Sequence, residues 1–133
     1  MPHVIVEHST NLSQRVDIGA LLQVLHRAAL DTGVFPVGGL RTRALPRQHY
    51  VIADGHPDNA FVSVVLRIGH GRDLDTKRRA GDQIFSALCG FLEPAFATTP
   101  LSISLEIQEI DPDLNFKKNN LHDIVKHRQA QQA

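Results

Sequence analysis

Leu101-Ser102-Ile103-Ser104-Leu105-Glu106-Ile107-Gln108-Glu109-Ile110 is the stretch on which the fold turns. Leu101, Ile103, Leu105 and Ile107 alternate with Ser102, Ser104, Glu106 and Gln108, a period that a β-strand converts into one apolar and one polar face. A strand so divided faces a packed layer on one side and an open or polar surface on the other. Immediately upstream, Ile84, Phe85, Leu88, Cys89 and Leu92 repeat at helical spacing, and Asp73 or Asp75 can cap the start of that helix. Glu93-Pro94 is expected to end or kink it. Before the helix, Phe61 to Ile68 is almost wholly apolar and reads as a strand, joined to the helix through the turn Gly69-His70-Gly71-Arg72.

The same order occupies the first half. His3 to His8 reads as a strand, and Asp17 opens an amphipathic helix through Ile18, Leu21, Leu22, Leu25, Ala28 and Ala29 that Gly33 closes. Leu40 to Ala44 alternates as a strand, weakened by Pro46 and resumed over His49 to Ala53. Asp54-Gly55-His56-Pro57-Asp58-Asn59 is turn chemistry. Two consecutive β-α-β units, about 2–60 and 61–120, therefore make one domain over 1–125. Right-handed crossovers predict an α+β, two-layer (α/β) fold: a four-stranded sheet with both helices on one face. The bare face predicts that another subunit covers it. Residues 126–133 are polar without apolar period and are expected to be a frayed, disordered tail.

Fourteen Lys and Arg balance fourteen Asp and Glu, which argues against a nucleic-acid or membrane-surface binder. Cys89, the single cysteine, can form no internal disulfide. No apolar run approaches a bilayer-spanning length, and the start Met1-Pro2-His3-Val4-Ile5-Val6-Glu7 lacks the features of a signal peptide. A cytoplasmic location is the expectation.

Chemistry concentrates in a few residues. Removal of Met1 would turn Pro2 into a free secondary amine, whose ordinary pKa near 8 is lowered by desolvation or nearby cations into the range of a general base. Taken alone, a proline opening a strand is more simply structural, since its missing donor is harmless there. Arg41 and Arg43 lie two apart on a short strand and share a face, and Arg72 sits in a glycine turn; each offers a bidentate fork for a carboxylate. Separately, each is an ordinary surface charge; together, near an amine, they would bind a polyanionic acid and keep the amine deprotonated. The eight histidines show no metal-ligand spacing, and Cys89 falls on an apolar stripe, so neither a metal nor any other cofactor is expected.

Pro2-His-Val-Ile-Val-Glu7, Thr32-Gly-Val-Phe-Pro36, Leu40-Arg-Thr-Arg43, Ala53-Asp-Gly55, Ile68-Gly-His-Gly-Arg72 and Leu114-Asn-Phe-Lys-Lys-Asn-Asn120 together resemble the 5-carboxymethyl-2-hydroxymuconate isomerase family of the tautomerase superfamily. The resemblance runs from Pro2 to about Val125. It implies a tautomerase-like homotrimer and metal-free catalysis by Pro2. By the same resemblance Arg41 and Arg72 would bind and polarise the substrate, an unsaturated di- or tricarboxylic acid. Arg43 would support them, and Phe116 would form an aromatic wall. The implied reaction is ketonisation of 5-carboxymethyl-2-hydroxymuconate in homoprotocatechuate (4-hydroxyphenylacetate) degradation. Alternatives are a hydratase or dehalogenase-like enzyme of the same superfamily, or a non-catalytic trimeric binder of anionic ligands.

Overall fold

A computed structural model of the chain describes residues 1–132. Four strands, β1 (His3–Ser9), β2 (Arg41–Arg47), β3 (Ala60–Gly69) and β4 (Leu101–Ile110), form one sheet in the order β2-β1-β3-β4. β1 pairs with β2 and β3 with β4 in parallel, and the two central strands run antiparallel. Helix α1 (Ile18–Asp31) connects the first parallel pair and α2 (Leu74–Thr98) the second. The two β-α-β units and the two-layer α+β sheet are thus as the sequence predicts.

The caps form where the acids stand. Asp17 accepts a hydrogen bond from the Ala20 N–H and Asp73 from the Thr76 N–H, each satisfying an otherwise orphaned donor of a first turn. One sheet face buries Val4 and Val6 of β1 and Val62, Val64, Leu66 and Ile68 of β3. Leu21, Leu25, Ile84, Leu88 and Leu92 of the helices close over them. Truncating a fully buried leucine such as Leu88 would cost about 2–5 kcal/mol. The alternation in β4 also holds: Ile103, Leu105 and Ile107 pack on this core while Ser102, Ser104, Glu106 and Gln108 are exposed on the open face.

Four local expectations are corrected. Of the two alternatives at Pro94, termination is overturned: α2 continues to Thr98. The carbonyl that Pro94 leaves unbonded belongs to Gly90, exposed to water, while Leu92 and Ala95 are buried on either side of it and hold the turn. Pro46 lies within β2, tolerated because β2 is an edge strand. His49 to Ala53 does not resume the strand. The chain turns there instead, with Ala53 and Gly55 in the left-handed region, and the Asn59 side chain donates to the Ile52 carbonyl and to Asp54. Finally, the supposed frayed tail from 126 is helical: α3 (Leu121–Gln132) runs through it, and only Ala133 lies outside the described residues.

α3 buries no side chain, which is why its sequence shows no apolar stripe. It docks instead on the 3₁₀ turn Val37–Gly39, where backbone meets backbone. A Cβ added to Gly38 would lie 2.6 Å from the His122 Cα, so only glycine permits this approach. Asn119 secures the junction: its Oδ1 accepts from the Leu121 N–H at 2.7 Å, and its Nδ2 donates to the Gly38 carbonyl at 3.4 Å.

Candidate active site

β1 starts beside the start of β2, and the Pro2 carbonyl accepts the Arg41 N–H at 3.2 Å. This fixes Pro2, itself buried, at the end of the sheet. The turn after β3 comes to the same place. Gly71 adopts φ +116°, which glycine reaches readily, and the turn swings Arg72 back over the Phe35 ring, 5.2 Å from its centroid. Arg72 spends two donors on the Gly69 and Val34 carbonyls, both at 3.3 Å, so its guanidinium is held. Pro2 and Arg72 line one cavity of about 180 Å³ together with Met1, Pro36, Gly39, Gly69, Lys117 and His122.

A second cavity of about 420 Å³ adjoins the first through shared Met1 and Lys117, and is lined by His3, Arg41, Arg67, Ile110, Asn115, Phe116 and Lys118 as well. The strand register builds it. Arg41, His3, Arg67 and Gln108 stand side by side across the four strands on the open face. His3 is wedged between arginines: Arg41 Nη1 lies 3.1 Å from its Nε2 and Arg43 Nη1 lies 3.1 Å from its Nδ1. Burial first, then Arg41, Arg43 and Arg67, hold its pKa down to about 4, so the ring is neutral near pH 7. A neutral imidazole accepts at one nitrogen only, so one of these guanidiniums retains an unspent donor.

Every charged side chain lining the two cavities is cationic. Among the described residues, no carboxylate pairs with Arg41, Arg43, Arg72 or Lys117. The chain-terminal amine, here that of Met1, feels this directly. Burial lowers its pKa most, followed by the charges of Lys117, Arg41 and Arg72. The Met1 thioether meanwhile accepts from Arg41 Nη2 at 3.2 Å.

Of the residues singled out in the sequence, Pro2 and Arg72 share the smaller cavity, while Arg41 and Phe116 line the larger. Arg43 reaches His3 but lines neither cavity. His3, Lys117, Asn119 and His122 were not anticipated. The motif Asn115-Phe116-Lys117-Lys118-Asn119-Asn120 carried the signal for Lys117 and Asn119, the stretch Pro2-His-Val-Ile-Val-Glu7 carried that for His3, and none pointed to His122. Among the described residues no three His, Cys, Asp or Glu side chains converge as a metal site, and no helix is long and apolar enough to cross a membrane.

Two β-α-β units on one four-stranded sheet in the order β2-β1-β3-β4 are the tautomerase class of fold. Fused 4-OT, solved as a symmetric trimer, shares that fold at 17% identity, with a TM-score of 0.60 over 89% of this chain and 92% of that one. Closer relationships specify the family. The model of the 5-carboxymethyl-2-hydroxymuconate isomerase family matches residues 2–125, and the chain belongs to that family. A 5-carboxymethyl-2-hydroxymuconate Delta-isomerase of Escherichia coli is 36% identical over 126 residues, covering 95% of this chain and 100% of that protein. The solved structure of a 5-carboxymethyl-2-hydroxymuconate delta-isomerase matches with TM-score 0.88 at 33% identity over 94% of this chain and 93% of that one. Another such isomerase, from Deinococcus radiodurans R1, matches with TM-score 0.86 at 38% identity over 93% of both. The protein is therefore an isomerase.

Proposed function

We propose that this isomerase ketonises 5-carboxymethyl-2-hydroxymuconate, a step of homoprotocatechuate degradation, with the secondary amine of Pro2 carrying the proton once Met1 is removed. The observation that carries the reading is an amine-bearing chain start enclosed by Lys117, Arg41 and Arg72 with no carboxylate among the cavity linings. Such a field disfavours the ammonium form and leaves the amine free to act as a base near neutral pH. It is also the field that attracts a polyanionic acid.

The steps balance. The neutral Pro2 amine takes the proton of the 2-hydroxyl, and the electron pair left on oxygen forms the C2 carbonyl as the diene shifts. The carbanionic end of the dienolate, at C5, then receives the proton back from the pyrrolidinium. Arg72, pinned over Phe35, and Arg41 hold the carboxylates and stabilise charge as it moves along the conjugated chain. Removal of Met1 does two things at once: it frees the amine, and it releases Arg41 from the thioether. Phe116, exposed at the mouth of the larger cavity, would cover the conjugated chain when occupied.

The assembled form in this reading is a homotrimer. The open sheet face carries half-buried Ile5, Phe61 and Val65 beside the arginine row, and β2 and β4 are both sheet edges. The larger cavity then lies at the border between subunits.

The test is an ultraviolet assay of the processed chain with the dienol. Ketonisation above the uncatalysed rate supports the reading. Binding without turnover would support an anion-binding protein instead, and a hydrated product would support a hydratase.

A further inference from the structure

Two arginines account for two carboxylates, and the substrate class proposed above includes acids with three. The structure points to where a third would go. Arg72 faces the smaller cavity and Arg41 the larger, and the one cationic side chain that lines both is Lys117. It sits in the extended link between β4 and α3. Asn119 fastens that link by gripping the Gly38 carbonyl and the Leu121 N–H. No acidic side chain pairs with Lys117 among the described residues, so its charge is unspent in the chain itself.

We propose that Lys117 is the specificity residue that receives the branch carboxylate of a tricarboxylic substrate. The assignment rests on the isomerase reading above. The two arginines supply planar forks suited to the ends of a conjugated chain. A lysine supplies a compact charge on a flexible stem, which suits a carboxylate on a rotating side branch. Arg67 and Lys118 line only the larger cavity and are not placed beside Pro2.

The experiment compares Lys117→Met and Lys117→Arg with the parent chain on two dienols, one bearing the carboxymethyl branch and one lacking it, at the alkaline plateau of the rate. The readout is the ratio of kcat/KM for the branched over the unbranched substrate. Losing one charged contact should lower that ratio roughly 10- to 100-fold in Lys117→Met, and Lys117→Arg should recover most of it. Binding of propane-1,2,3-tricarboxylate against glutarate, by calorimetry, reads the same preference without turnover. An unchanged ratio and an unchanged binding preference in Lys117→Met would overturn the proposal. If the parent chain turned over neither dienol yet lost its tricarboxylate preference on Lys117→Met, the isomerisation reading would fall while the assignment of Lys117 stood.

Discussion

Gly38→Ala separates what holds the fold together from what holds the site together. A methyl group at Gly38 would meet the His122 Cα at 2.6 Å, its Nδ1 at 2.8 Å and its backbone N at 2.9 Å. Carbon atoms rest at about 3.5–4.0 Å, so α3 must retreat by about 1 Å, and because two of the three atoms are backbone no rotamer change can relieve the contact. α3 buries no side chain, so this overpacking should cost global stability no more than about 1–3 kcal/mol. The link carrying Phe116 and Lys117 moves with the helix. A misplacement of about 1 Å in a positioning element can cost on the order of 100-fold in rate. Gly39→Ala is the control. Its methyl would lie 3.3 Å from His122 Cε1, a side-chain atom that can turn aside, and 3.5 Å from the Pro2 Cδ. Kinetics, thermal unfolding and amide exchange across α3 should show Gly38→Ala losing activity and α3 protection while the core stays protected, with α3 protection in Gly39→Ala far less affected. A Gly38→Ala chain with parental kcat/KM and parental α3 protection would show that the Gly38–His122 contact does not position the site.

Other expectations follow from the cations around Pro2. Arg72→Ala removes a charged contact to substrate and should lower kcat/KM by about 1.5–3 kcal/mol in free-energy terms. It should also move the amine's ionisation midpoint upward, since Arg72 is one of the charges opposing the cation at the chain start, and a pH–rate profile reads both effects. His3 contributes to acid stability. Its pKa falls from 6.5 to about 4 on folding, so between those values the unfolded chain binds a proton that the folded chain refuses, and stability declines as pH drops through that window. Urea midpoints from pH 4 to 7 should show this slope and show it reduced in His3→Gln; an identical slope in the variant would contradict the account.

Much of the architecture was legible because side-chain direction is a local property. Alternation over Leu101 to Ile110 fixes two faces whatever the partner, and Asp17 and Asp73 cap helices through bonds spanning three residues. Local rules failed where distant packing overrode them. The penalty at Pro94 was outweighed by burial of Leu92 and Ala95, and α3 is held by glycine-backbone contact that no hydrophobic pattern records. The site divides in the same way. Arg41 and Arg43 share a face by spacing alone. The placement of Lys117 in the Pro2 cavity depends on a contact such as that from Asn119 to Gly38, 81 residues apart. The pairing of two arginines with His3 likewise depends on strand register, which only the assembled sheet defines.

Proton transfer by the Pro2 amine is tested by preparing the chain in two forms, one beginning at Met1 and one at Pro2, each verified by intact mass, and measuring dienol ketonisation against pH. The processed form should turn over substrate with a rate that rises through an ionisation below the ordinary amine value of about 8. The form retaining Met1, in which Pro2 is an amide and the thioether contacts Arg41, should fold identically and be inactive. Equal turnover by the two forms would contradict the account.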